Sequence, residues 1–178
     1  VYMTWEIVAK TITVTAQNKT KVYGDADPEL TVDIDGPEDA VDQIEYEVTR
    51  AGENEDLGEN VGDHAIVVTG DATQGDYNVV FVNGTLTITQ APVTVKAKNM
   101  SKTYGDDDPQ EYTTTITGLK RNDDRSIISY TISRQAGENV GSYTITPTGD
   151  ASQDNYSVTY TTGTFKIKDR KSTRLNSS

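Results

Sequence analysis

Apolar and polar residues alternate along most of this chain, and the period is that of strands. Ile12, Val14 and Ala16 are apolar while Thr11, Thr13 and Thr15 are polar, which predicts a strand with one buried face. The same pattern returns at Val93, Val95 and Ala97. Ile44, Tyr46 and Val48 alternate with Glu45, Glu47 and Thr49, and Ile128, Tyr130 and Ile132 repeat them. His64, Ile66 and Val68 correspond to Tyr143, Ile145 and Pro147. Short strands are also expected at Thr31 to Ile34 and Thr113 to Thr117.

These correspondences are one internal repeat. GDATQGDYNVVFVNGTLTIT, from Gly70 to Thr89, comes back 79 residues later as GDASQDNYSVTYTTGTFKIK, from Gly149 to Lys168. The stretch reads as a hairpin: Tyr77, Val79 and Phe81 face inward in one arm, Leu86 and Ile88 in the other, and Asn83-Gly84 forms the turn. The second copy keeps Tyr156, Val158, Tyr160, Phe165 and Ile167 and places Thr162-Gly163 at the turn. KVYGDADPEL at Lys21 to Leu30 and KTYGDDDPQE at Lys102 to Glu111 read as turns, because Gly permits positive φ and Pro disfavours helix before it.

The expected domains are 10–90 and 91–168, joined at Gln90-Ala91-Pro92 without a flexible tract. Residues 1–9, with Trp5, Ile7 and Ala9 alternating, read as the end of an upstream strand or a leader, and 169–178 as a non-domain tail. The loop after Arg50 is five residues longer than the one after Arg134, as an exposed loop allows. About six strands per copy and no long helix predict an all-β fold of two tandem antiparallel β-sandwich (Ig-like) domains. The alternative is a β-grasp-like α+β unit, whose helix only 36–43 and 118–127 could supply.

Composition narrows the function. With 28 acidic against 16 basic residues the net charge is −12, which disfavours nucleic acid and anionic membranes as partners. Cysteine is absent, which excludes disulfides and zinc-thiolate sites, and no apolar run approaches the ~20 residues that span a bilayer. No signal peptide opens the chain, so an exported protein would contain it as an internal fragment.

Tyr23-Gly24-Asp25 with Asp27-Pro28, Tyr104-Gly105-Asp106 with Asp108-Pro109, and the closing stretch from Tyr77 to Ile88 resemble the MBG or YDG-type repeats of large bacterial surface proteins. The resemblance covers Lys10 to Lys168 and implies a module of a secreted or wall-attached, adhesin-like protein. It implies no ligand and carries over no binding residues.

Candidate chemistry is sparse. The single histidine, His64, occupies the register of Tyr143 and is expected to be structural. Asp25, Asp27, Asp106, Asp107 and Asp108 offer oxygen ligands of the kind calcium takes, but without EF-hand spacing they read first as solvated turn residues. Glu45 and Glu47 read as solvent-facing acids rather than a glycosidase pair. Asn18, Asn83, Asn99, Asn155 and Asn176 fall in glycosylation-type triplets, which a chain rich in Asn, Ser and Thr produces by chance. A Lys to Asn crosslink would need a buried lysine, asparagine and acid together. Tyrosines in inward register are expected to pack the core rather than stack on sugars.

The expected function is that of stalk or spacer repeats in an extracellular bacterial surface protein, a monomeric segment of a longer array, non-enzymatic and without cofactor. Its catalytic, cofactor and metal residues are expected to be none, and its partners, if any, host or environmental glycans or glycoproteins. The alternatives are a carbohydrate- or glycoprotein-binding module and an accessory domain of a larger extracellular enzyme.

Overall fold

A computed structural model describes residues 8–52 and 56–171. The readings of Trp5 and Ile7, of residues 53–55 in the longer loop and of 172–178 in the tail lie outside the described residues. The chain divides into two compact units, Val1–Thr89 and Gln90–Ser178.

The first unit contains β1 (Lys10–Ala16), β2 (Lys19–Val22), β3 (Val32–Asp35), a one-turn helix α1 (Glu38–Val41), β4 (Glu47–Arg50), β5 (Gly62–Thr69), β6 (Thr73–Gln74), β7 (Tyr77–Val82) and β8 (Gly84–Thr89). They build two four-stranded sheets, in the orders β3-β1-β7-β6 and β2-β8-β5-β4. The second unit repeats this with β9 (Ala91–Ala97), β10 (Met100–Thr103), β11 (Thr114–Thr117), β12 (Thr131–Arg134), β13 (Gly141–Thr148), β14 (Ser152–Gln153), β15 (Tyr156–Thr161) and β16 (Gly163–Lys168). Its sheets run β11-β9-β15-β14 and β10-β16-β13-β12. Each unit is an all-β sandwich, and α1 is far too short to cover a sheet as a β-grasp requires.

The alternation places the core where the sequence puts it. Ile12, Val14, Ile66, Val79, Leu86 and Ile88 are buried in the first unit, and Val93, Val95, Ile145, Val158, Phe165 and Ile167 in the second. Each such side chain contributes about 1.5–3 kcal/mol on full burial. Tyr46 departs from its expected inward register. It precedes β4 and is 42% exposed, while the buried end of that strand is Arg50.

The pairing differs from the expected hairpin. β7 and β8 lie in different sheets and do not pair with each other. The chain passes from one sheet to the other at Asn83, and neither Asn83 nor Gly84 takes the positive φ that a two-residue hairpin turn needs. Both arms still face inward, because the two sheets share one core. β1 and β2 change sheets in the same way, and they pair in parallel with β7 and β8. The sheets are therefore mixed, with antiparallel pairing elsewhere.

The crossing explains the repeated glycine. A Cβ on Gly84 would stand 2.7 Å from the Ala16 carbonyl oxygen, and one on Gly163 would stand 2.8 Å from that of Ala97. Asn18 Oδ1 accepts the Thr85 amide at 2.8 Å and Asn99 Oδ1 accepts that of Thr164 at 2.9 Å, so each crossing is stapled by an asparagine. Gly84→Ala is expected to lower stability by roughly 1–3 kcal/mol through overpacking against backbone. Urea denaturation checks this, and an unchanged midpoint would contradict the crowded crossing.

Candidate functional site

The most concentrated chemistry in each unit is a set of four charges that closes one end of the sandwich. β2 carries Lys21 inward, β4 ends on Arg50, the turn after β2 supplies Asp27, and the segment before β5 supplies Glu59. Lys21 Nζ lies 2.5 Å from Asp27 Oδ1 and 2.8 Å from Glu59 Oε2. Arg50 Nη1 lies 2.8 Å from Asp27 Oδ2 and 2.6 Å from Glu59 Oε1, and Nη2 donates to the Gly58 carbonyl. Each carboxylate thus bridges both cations, and the ring is charge-balanced.

The second unit rebuilds the ring from Lys102, Arg134, Asp108 and Glu138. Lys102 Nζ is 2.7 Å from Asp108 Oδ1 and also pairs with Glu138. Arg134 Nη2 is 2.7 Å from Asp108 Oδ2 and 2.6 Å from Glu138 Oε1. Here Tyr112 joins, donating its hydroxyl to Asp108 at 2.7 Å. The Arg134 guanidinium also lies over the rings of Phe165, at 4.9 Å, and Tyr143, at 5.5 Å. The corresponding positions in the first unit are Leu86 and His64.

The cations are the buried members. The side chain of Arg50 is 1% exposed and that of Lys21 4%, whereas Asp27 is 30% exposed. Burying an ammonium or guanidinium costs several kcal/mol unless carboxylates and further acceptors surround it, as they do here. Burial alone would raise the Asp27 carboxyl, but hydrogen bonds from Lys21 and Arg50 outweigh it and hold the group below its ordinary value. Glu59 is lowered in the same balance. The hydrogen bond from Lys102, followed by those from Tyr112 and Arg134, brings Asp108 down to about 2 against the opposing effect of burial. Lys102 and Arg134 likewise lower Glu138.

This chemistry is static. Carboxylates held ionised by paired cations are poor proton donors and weak bases near neutral pH, so the ring suits neither general acid nor general base work. It also commits Asp27 and Asp108 to the chain's own cations rather than to calcium. Asp25 and Asp106 close the turns, with their amides donating to Val22 and Thr103 at 3.0 Å. Among the described residues no group of three or more His, Asp or Glu is arranged to hold a metal ion.

The other candidates have local duties. His64 Nε2 bonds the Asn60 carbonyl at 2.8 Å, and Tyr143 donates to the equivalent Asn139 carbonyl at the same distance. Asn83 Oδ1 accepts the Val68 amide at 3.1 Å, so Asn18, Asn83 and Asn99 all serve the backbone. Glu45 and Glu47 line an open cleft of about 530 Å³ beside Tyr46, Asp71 and Gln74. The second unit has a cleft of about 250 Å³ at the same place, where Ser129 and Thr131 replace the two glutamates. The Gln74 and Gln153 side chains pin the backbones of Glu45 and Ser129 there.

The ion rings were hidden in the sequence because their lysines and arginines lie next to turns, where charge normally means solvent. The available signal was recurrence: Lys, Asp, Arg and Glu occupy matching places in both copies.

All four acids have lowered pKa values, so the stability they contribute is present above the unfolded carboxylate pKa and lost as pH falls through the folded one. For Asp108 that window runs from 3.8 down to about 2. Thermal melting is expected to be level near neutrality and to fall across this window. Asp108→Asn should lower the melting temperature at pH 7 and flatten the acid limb; an unaltered limb would contradict the ring's role. The rings should also be ionic and not covalent, because amide formation needs a neutral amine and a protonated acid, and the lowered acids oppose that state. Intact mass spectrometry should give the unmodified chain mass, with no loss of water or ammonia.

Comparison with curated proteins finds no match. A solved structure described as "Structural basis for Dscam isoform specificity" is similar at 16% identity, with a TM-score of 0.26, over 62% of this chain and 27% of that one. So low a score bears on neither fold nor function, and the chain spans about a quarter of that protein's length. The family model described as MBG domain (YGX type) matches residues 12–87 and 93–166. Each match includes a Tyr-Gly-Asp turn, its ion ring and its sheet crossing, and the chain belongs to the MBG domain (YGX type) family as two tandem copies.

Proposed function

We propose that the chain is a stalk or spacer segment of a secreted, adhesin-like bacterial surface protein. The observation that carries this reading is what the two copies share. Core positions, the stapled crossings and the ion rings recur, while the cleft near Glu45 and the loop after Arg50 differ between copies. A repeated frame with unrepeated surface chemistry suits a part selected for holding its shape. MBG repeats are a non-catalytic domain type met in surface proteins, and no helix among the described residues is long and apolar enough to cross a membrane. The net charge of −12 favours solubility in an array of many copies.

The second reading, a glycan- or glycoprotein-binding module, rests on Tyr46, an exposed ring beside the acidic cleft of the first unit. Two measurements separate the readings. One, two and three tandem copies of the chain, placed between a cell-surface anchor and an epitope, should raise antibody access stepwise through a surface polymer layer. Access that ignores copy number would remove the spacer reading. On a glycan and mucin array, with calcium or chelator, the spacer reading expects no specific binding. Binding abolished by Tyr46→Ala would establish the second reading instead.

A further inference from the structure

The strands by which the chain enters and leaves each unit run side by side in the same direction. In the first unit β1 is parallel to β7 over six registered positions, from Lys10 against Tyr77 to Thr15 against Val82. β2 is parallel to β8 over four more, from Lys19 against Leu86 to Val22 against Thr89. The second unit reproduces both ladders, with six positions between β9 and β15 and four between β10 and β16. One residue, Gln90, separates β8 from β9, so tension leaving one unit enters the next without slack.

Tension along the chain draws the entering limb, β1 and β2, toward its N-terminal end and the leaving limb, β7 and β8, toward its C-terminal end. Because the limbs are parallel, these pulls slide them past each other along their own axes. The hydrogen bonds of a parallel ladder are evenly spaced, so they share that load and give way together. An antiparallel hairpin pulled at its open end behaves differently, since the first pair takes the whole load and the ladder opens rung by rung. β4 and β5 supply such a pair, with Glu47 against Thr69 at the open end.

Two side-chain ties reinforce the limbs. Asn18, between β1 and β2, holds the Thr85 amide of β8. Lys21 of β2 is paired to Glu59, which leads into β5 on the far side of β8, so sliding β2 along β8 also breaks that ion pair. The second unit has the equivalent ties in Asn99 and Lys102.

We propose that each unit is a shear-loaded mechanical clamp, in which parallel pairing of the entering and leaving limbs lets the chain carry tension while folded. The inference rests on the stalk reading for the source of the force, whereas the clamp itself follows from the pairing.

The chain has no cysteine, so introduced pairs give defined attachment points for single-molecule force spectroscopy on the full chain. Lys10→Cys with Thr89→Cys loads the first unit along the clamp, and Glu47→Cys with Thr69→Cys peels β4 from β5. At one loading rate the rupture force through 10 and 89 is expected to be at least about twofold that through 47 and 69. Equal or lower force overturns the clamp. If the first-unit variants fail to fold, Gln90→Cys with Lys168→Cys against Thr131→Cys with Thr148→Cys makes the same comparison in the second unit, with the same two outcomes. The epitope-reach assay fails independently. A flat reach response with the force difference intact would sink the stalk and leave the clamp standing.

Discussion

In each unit two limbs of the chain change sheets side by side, and the backbone at that crossing leaves no room for a side chain. Gly84 against Ala16, and Gly163 against Ala97, mark the contact. The parallel ladders on either side exist because both limbs cross at the same level, and the shared core exists because β1, β7 and β8 hold Val14, Val79 and Leu86 between the sheets. A displaced crossing would shift the register of β1 against β7 or of β2 against β8. A one-residue slip would turn Ile12 and Val14, or Leu86 and Ile88, out to solvent.

The ion rings secure the other constraint, the closure of the sandwich end beyond β2 and β4. Tyr23, in the turn after β2, is buried at that end, and the long stems of Lys21 and Arg50 fill space there as well. Their charges then need partners. Asp27 and Glu59 come from two different loops, so satisfying the cations also fixes both loops. Replacing such a ring by apolar residues often leaves stability unchanged or raises it. The stronger case for retaining it is geometric, since the ring ties two loops to the same two buried cations.

The inward and outward faces of the strands were legible in the sequence because period-two alternation depends on burial alone. Strand partners were not, for a physical reason. Tyr77, Val79 and Phe81 followed by Leu86 and Ile88 give the same alternation whether the arms pair as a hairpin or face each other across a core. Asn83-Gly84 has the composition of a hairpin turn, yet its glycine answers a close approach and its asparagine binds the Val68 amide. Tyr46 left its expected inward register, while Arg50, four positions on along the same face, is buried because two acids meet its charge. The family resemblance carried by the Tyr-Gly-Asp turns was legible from the start, although the reason for their acids, pairing with Lys21 and Lys102, needed the three-dimensional arrangement.

Tandem copies of one fold carry a hazard, since a strand of one copy can take its twin's place during folding. The ion rings give little protection, because they present the same four charges in both units. The packing around them does differ. In the second unit Phe165 sits edge-on to Tyr112 at 6.0 Å between ring centres and under the Arg134 guanidinium, whereas the first unit has Leu86 at that place. Exchange of β8 for β16 would press a phenyl ring into a space shaped for leucine and leave Arg134 over a leucine. Overpacking of that kind costs typically 1–3 kcal/mol, and the vacated ring site adds a cavity cost in the other unit. The shared charges thus set one architecture for both units, and the unshared core residues keep each strand in its own.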